Sequence, residues 1–411
     1  MSGWKNHSLL FILTFRHLEM LNRRSLRVKV MQTLFALSQC KEANFNIGLA
    51  EIEEAFQPDL NSMEPQDKVQ LKADSKQAKS ILNHRVNGAP LKDSEEVSPK
   101  VEAAAALAYK NYIENSKKDL ERLKKDMFLD AESLIDYFLW VIGLVITWSD
   151  QSKIEADKKQ KLSPERLLSG DFNLSKNRVI DFFRKSSKVQ VAMVKKNISW
   201  EEEEDNYKNW YKEVVKKDET FSAYRRIANP SFEEDKELVE YLVKDLIFKT
   251  EVILSFFEEK DIHWKENKPI VRSLAARSIR DVEADSDHKD FELPDFSNNW
   301  DEDKDFFEKI LDSTVESDKE FSQMIAAKTK NWEVDRLANT DQIILKMAIA
   351  EMLNFRNIPV KVTINEYIEL SKNYSTPKSK QFVNGILDVI SAELKEKGEL
   401  KKTGRGLIDN K

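Results

Sequence analysis

Residues 359–388, PVKVTINEYIELSKNYSTPKSKQFVNGILD, constrain this chain more than any other stretch, because they read as two capped helices joined by a short turn. Ile364, Tyr367, Ile368 and Leu370 recur at helical spacing. Thr363-Ile-Asn-Glu366 has the form of a capping box, in which the Thr hydroxyl accepts from a first-turn N–H and the Glu reaches back to the cap. Asn373-Tyr374-Ser375 marks the turn. Thr376 is the expected cap of the next helix, with Pro377 at its first position, where a missing N–H costs nothing. Phe382, Val383, Ile386, Leu387 and Ile390 then form one apolar stripe. Gly385, inside that helix, costs about 1 kcal/mol relative to Ala, so a close backbone approach is expected there.

The rest of the composition supports a helical reading. With 9 Gly and 10 Pro in 411 residues, the chain has too few breakers for a turn-rich β protein and too few glycines for nucleotide-binding loops. Charged residues make up 34% of the chain and hydrophobic ones 41%, enough for two or three domains with cores. The net charge of −6 gives no global attraction to nucleic acid, so any such site must be a local basic patch. The single Cys40 excludes an internal disulfide and a cysteine-based zinc site, and the five His show no ligand spacing. A reducing, cytoplasmic setting fits.

In chain order, residues 1–19 fit no later pattern. Their apolar run is too short to span a bilayer. They read either as an extension upstream of a start at Met20 or as a short amphipathic helix. Residues 22–39 read as a helix capped by Asn22, with Val28, Val30, Met31, Leu34, Phe35 and Leu37 on its apolar side. Arg23, Arg24, Arg27 and Lys29 crowd its first turns. Cations there oppose the helix dipole, which invites an anionic partner, although a solvated helix end gives the same pattern. A short helix is expected over 47–56 and a polar linker with weak helical pieces over 57–100.

Residues 101–150 read as one or two helices. The run 134–148, LIDYFLWVIGLVITW, is too short for a membrane span and contains an Asp, so it is expected in a protein core. A polar loop is expected over 151–175. Further helices are expected from Asn177, from Ser199 and from Ser231-Phe232-Glu233-Glu234. The carboxylates of 201–205 point around a helix rather than at one centre, and read as a solvated face. Residues 281–300 read as an acidic linker. Helices resume with Phe306, Phe307, Ile310, Leu311 and Val315. The next core helix, capped at Asn339-Thr340-Asp341, carries Ile343, Ile344, Met347, Ile349, Ala350 and Leu353. The polar tail after Gly398 is expected to be loose.

INEYIEL followed by KSKQFVNGILD resembles the C-terminal signature of the NusB family, all-helical factors of bacterial transcription antitermination. The likeness runs upstream through WEVDRLANTDQIILKMAIAEMLNFRNIPVKV. It reappears at Arg23-Arg24-Ser25-Leu26-Arg27 and Val30-Met31-Gln32-Thr33-Leu34-Phe35. The resemblance implies an all-α, NusB-like bundle of two packed sub-bundles interrupted by a large helical insertion. Its parts are an extension over 1–19, N-terminal helices over 20–56, the insertion over 57–295, the C-terminal bundle over 296–395 and a tail over 396–411.

It further implies pairing with NusE, a small-subunit ribosomal protein, binding of boxA-type single-stranded RNA, and action on the transcription elongation complex during ribosomal RNA transcription. The RNA contacts it implies are Arg23, Arg24, Arg27, Lys378, Lys380, Gln381 and Phe382, the last a stacking candidate that serves equally as a core residue. The NusE-facing carboxylates it implies are Asp335, Asp341 and Glu351, each of which also reads as an ordinary cap or solvated group. Ser25 stands at the family's middle arginine, Phe35 at a tyrosine, and Lys378 where an acidic residue is frequent.

No Walker loop, dinucleotide fingerprint, G-x-S-x-G or H-E-x-x-H motif is present, so no catalytic residue, metal site or cofactor is expected. Two other readings stay open: a helical protein–protein scaffold without RNA activity, and an accessory domain for RNA modification.

Overall fold

The computed structural model describes residues 20–59, 61, 65–91, 97–329 and 338–410. Among them the structure is all-α, with one isolated parallel bridge between Leu21 and Ser297. Two compact units result: residues 20–25 with Leu129–Trp300, and Leu26–Phe128 with Asp301–Lys411. The expectations for residues 1–19, and for Trp332, Val334, Asp335 and Leu337, lie outside the described residues.

The first unit is built on the apolar run identified above. It forms the start of helix α4 (Leu134–Leu162), following α3 (Pro99–Glu132). Phe138, Leu139, Val141, Leu144 and Trp148 are fully buried, so the run is a core helix, as expected. No helix among the described residues is long and apolar enough to cross a membrane. The expected polar loop over 151–175 is a correction, because α4 runs on through Leu162. Its Lys, Glu and Gln residues are good helix formers, and Ser152 and Ala156 keep one face inward.

Around α4 lie α5 (Arg178–Lys185), α6 (Ser187–Lys195), α7 (Glu204–Trp210), α8 (Glu219–Tyr224), α9 (Phe232–Tyr241), α10 (Glu251–Lys260) and α11 (Trp264–Arg280). Local signals fix several starts. Asn177 caps α5, and Ser231 and Glu234 form a reciprocal capping box on α9. Two π-helical turns, Tyr211–Val215 and Leu242–Ile247, continue α7 and α9.

An aromatic cluster locks this unit. The rings of Trp140 and Trp200 meet edge to face at 4.9 Å, and Trp200 stacks on Phe256 at 5.2 Å. The Trp200 indole N–H donates to the Trp140 carbonyl at 3.1 Å. Gly143 makes room: a Cβ there would stand 3.2 Å from the indole nitrogen of Trp200 and 2.9 Å from the Met193 methyl carbon. The acidic stretch before Trp300 is ordered against this unit, with Phe291 packing on Phe182 and Phe183 at 5.8 and 5.4 Å.

The second unit joins two separated pieces of chain. Helix α1 (Arg23–Ala55), most of which belongs here, is continuous and not two helices, since nothing between Gln39 and Ile47 breaks it. The expected linker over 57–100 contains a full helix, α2 (Lys68–Asn87), which corrects that reading. Asp67 caps its start, and Gly88, at φ 70°, takes the left-handed conformation that ends it. Only Ala78, Ile81 and Leu82 of α2 are buried, but they meet Ile52, Phe56, Val101, Ala105 and Ala108 in one small core. Leu71 and Val86 of α2 pack against it partly buried.

The larger core of this unit centres on α14 (Asn339–Asn354), packed against α15 (Val360–Tyr374) and α16 (Ser379–Glu396) and flanked by α12 (Trp300–Glu316) and α13 (Asp318–Lys328). Ile344, Leu345, Met347, Ala348, Ile349 and Ala350 of α14 are fully buried. Gly385 of α16 has nothing within 4 Å of where a Cβ would stand, so it admits no close neighbour, contrary to expectation. The tail is also docked rather than loose. Thr403 N–H and the Lys402 ammonium donate to the Arg356 and Phe355 carbonyls, both at 2.9 Å. Gly406 lies so close to the Arg356 carbonyl that a Cβ would stand 2.1 Å from its oxygen.

Candidate nucleic-acid interface

The arginine-rich start of α1 divides by helical phase. The Asn22 side chain accepts from the N–H groups of Arg24 and Ser25 at 2.9 and 3.1 Å, capping the helix as expected. Arg24 is exposed and Arg23 half-buried. Arg27 lies three, four and seven residues before Val30, Met31 and Leu34, on the apolar stripe, and is only 3% exposed. Lys29 is buried as well.

Arg27 meets Glu351, which is fully buried on α14. The guanidinium donates to both carboxylate oxygens, at 2.7 and 2.8 Å. The same carboxylate accepts from the Thr363 hydroxyl at 2.9 Å and the Tyr367 hydroxyl at 3.1 Å, so four donors converge on it. Glu366 stands 3.5 Å from the guanidinium, which also lies over the rings of Phe306 and Tyr367. Burial alone would lower the Arg27 pKa, but the hydrogen bonds and charge of Glu351 outweigh it and hold the guanidinium charged. Burial, then the neighbouring Glu351 charge, pushes the Tyr367 hydroxyl well above its ordinary range.

The expected surface roles of Arg27 and Glu351 therefore give way to an internal ion pair. Thr363 is no cap either. Helix α15 begins at Val360 behind Pro359, and Thr363 turns inward to Glu351, while Glu366 faces Arg27.

The turn between α15 and α16 is built from hydroxyls. Thr376 and Pro377 form the turn itself, and α16 starts at Ser379, two residues later than expected. Ser379 is 2% exposed, and its hydroxyl donates to a carboxylate oxygen of Asp341 at 2.6 Å. Having given its one proton, Ser379 Oγ accepts from the hydroxyls of Ser375 and Thr376, at 3.0 and 2.8 Å.

Asp341 is not a side-chain cap and faces no partner surface. It sits in the first turn of α14, 4% exposed, and its second oxygen has no hydrogen-bond partner. Lys378, Lys380 and Gln381 are exposed on the turn and the first turn of α16, whereas Phe382 is half-buried.

The hydroxyls of Ser379, Thr363 and Tyr367 were not legible as functional from sequence. A signal existed for their partners. Glu351 follows Ile344, Met347 and Ala348 by seven, four and three residues, and Asp341 precedes Ile344, Leu345 and Ala348 by three, four and seven. Charged residues on an apolar stripe are buried only when paired.

One cluster with metal-ligand chemistry occurs among the described residues, in the first unit. Atoms of Asp130, Asp261 and His263 lie within 4.8 Å of one another. Asp261 accepts from the His263 backbone N–H at 2.8 Å and from the Asn267 amide at 3.0 Å, so it closes the start of α11.

A protein-family model described as NusB family matches residues 269–392. The curated proteins similar to this chain include three named transcription antitermination protein NusB. That of Chloroherpeton thalassium is 49% identical over 106 residues, 26% of this chain and 50% of that protein. That of Salinibacter ruber is 44% identical over 105 residues, 26% of this chain and 66% of that protein. That of Bacillus licheniformis is 42% identical over 89 residues, 22% of this chain and 69% of that protein. The chain thus spans half of the first and just under two thirds of the second. No solved structure matches it. Identity of 42% across 69% of a curated relative decides the family: the chain belongs to the NusB family.

Proposed function

We propose that the chain is an RNA-binding transcription antitermination factor that takes boxA-type single-stranded RNA and pairs with the ribosomal protein NusE in the transcription elongation complex, during ribosomal RNA transcription in the cytoplasm. The observation that carries the reading is the turn before α16. Lys378 and Lys380 stand exposed there, on a backbone held by the Ser379–Asp341 and Thr376–Ser379 hydrogen bonds. Such a rigid cationic loop suits a flexible phosphate backbone, because little ordering entropy remains to be lost on binding. Gln381 offers donors and acceptors for a base edge, and the half-buried Phe382 a ring face. Arg23 and Arg24 supply further phosphate contacts at the start of α1. Arg27 contributes from inside, by fixing α1 to Glu351. With Asp341 and Glu351 internal, a basic partner such as NusE meets other carboxylates; of the three expected, Asp335 keeps that role in this proposal.

The test is fluorescence anisotropy with a boxA-like RNA, with and without NusE, across a salt series. Tighter binding with NusE, and weaker binding by Arg23→Ala/Arg24→Ala, supports the reading. Equal weak binding in every case would remove it and leave the scaffold reading, in which the helical insertion over 57–295 is the working surface.

A further inference from the structure

Building on the RNA reading above, we infer that Asp341 and Ser379 are positioning residues for the RNA-facing turn: the buried carboxylate on α14 sets the conformation in which Lys378, Lys380 and Gln381 meet the RNA. The argument begins with a cost. A carboxylate 4% exposed, with one oxygen lacking any hydrogen-bond partner, is an expensive way to hold a helix start. An apolar residue on this stripe, between the helix start and Ile344, would pack without that cost. What the carboxylate supplies is direction. It takes the only proton of Ser379, and this obliges Ser379 Oγ to act as acceptor.

Ser375 and Thr376 then both turn their hydroxyls onto it. The Ser379 N–H also donates to the Thr376 carbonyl at 2.9 Å, closing the turn from the backbone side. The side-chain hydrogen bonds are donated inward, from Ser375 and Thr376 to Ser379 and from Ser379 to Asp341, and tie the residues flanking Lys378 to the buried carboxylate, so the exposed cations need no side-chain contact of their own to be placed. Neither Asp341 nor Ser379 offers RNA a surface, since both are buried. Their effect on binding must therefore pass through the turn.

The experiment measures RNA binding by the full chain against boxA-like RNA, using Ser379→Ala, Ser379→Thr, Asp341→Ala and the double variant Ser379→Ala/Asp341→Ala. Positioning predicts that Ser379→Ala and Asp341→Ala each raise Kd about tenfold, on the scale of one lost hydrogen bond to a charged group. It also predicts that the double variant loses no more than either single one, because both cut the same chain. The salt dependence of binding should stay that of the unaltered protein, since no phosphate contact is removed. Ser379→Thr, which keeps the hydroxyl, should restore affinity.

A purely structural role would lower thermal stability and leave Kd and its salt slope untouched, and that result overturns the inference. So does a Ser379→Ala effect that Asp341→Ala, which removes the acceptor, fails to reproduce; that would mean that the serine touches RNA directly. If the unaltered chain binds no RNA, the functional reading falls and takes this inference with it. If binding survives both substitutions at full strength, only the inference falls.

Discussion

Arg27 and Glu351 are 324 positions apart in the chain and form a two-pronged buried ion pair, with the Thr363 and Tyr367 hydroxyls closing on the same carboxylate. The pair ties α1 to α14 and α15, and so joins the early and late segments that build the second unit. Arg27→Leu leaves a buried carboxylate without its cation and should cost about 3–5 kcal/mol. Arg27→Leu/Glu351→Leu should recover part of that loss. The remainder is the desolvation of the two orphaned hydroxyls, about 1–3 kcal/mol each. Urea unfolding of the two variants beside the parent measures both numbers. A single variant no less stable than the double would refute the account.

In the first unit, Asp171 accepts from Lys159 at 2.7 Å, from the Leu168 N–H at 2.9 Å and from Arg225. Burial alone would raise its pKa, but these donors, Arg225 foremost, outweigh it and hold the carboxyl below its usual range. A carboxyl depressed in the folded state stabilises the fold above its unfolded pKa of about 3.9, and that stability fades as pH falls through the lower folded value. Asp171→Asn should therefore be less stable than the parent at pH 7 by roughly 1.5–3 kcal/mol, with the gap closing below about pH 4. Unfolding curves at pH 7, 5 and 3 would show a constant gap if this carboxyl were not the cause.

Gly143→Ala sets two effects against each other. Alanine gains about 1 kcal/mol of helix propensity, while its methyl crowds Trp200 and Met193 and costs about 1–3 kcal/mol. Met193 can yield at its flexible end; the Trp200 ring, wedged against Trp140, Trp210 and Phe256, cannot. A net loss of about 1 kcal/mol is expected, with a changed near-ultraviolet dichroism from the tryptophans. An unperturbed tryptophan signal would show that the cluster absorbs the methyl.

Lys378→Gln/Lys380→Gln removes two exposed cations and no buried contact. Stability should change by less than about 0.5 kcal/mol. If both lysines neutralise phosphates, the slope of log affinity against log salt for single-stranded RNA should become shallower by about 0.7 for each. A slope unchanged in the double variant would place the phosphate contacts elsewhere.

What sequence alone determined is local. The caps at Asn22 and at Ser231 with Glu234, the core helix through Trp148 and the apolar stripe of α14 all rest on interactions within a few residues. The family likeness likewise sits in continuous stretches. What only the tertiary structure decided is the partner of each polar group. Thr363, Glu366 and Asp341 each fit a local capping pattern, but every one of them is claimed by a residue from another helix. Arg27 and Glu351 read as surface charges because each one's counter-charge lies 324 positions away. The physical reason is the price of burial: inside a core, a charge must find its counter-charge in space, and nothing in the local sequence names it.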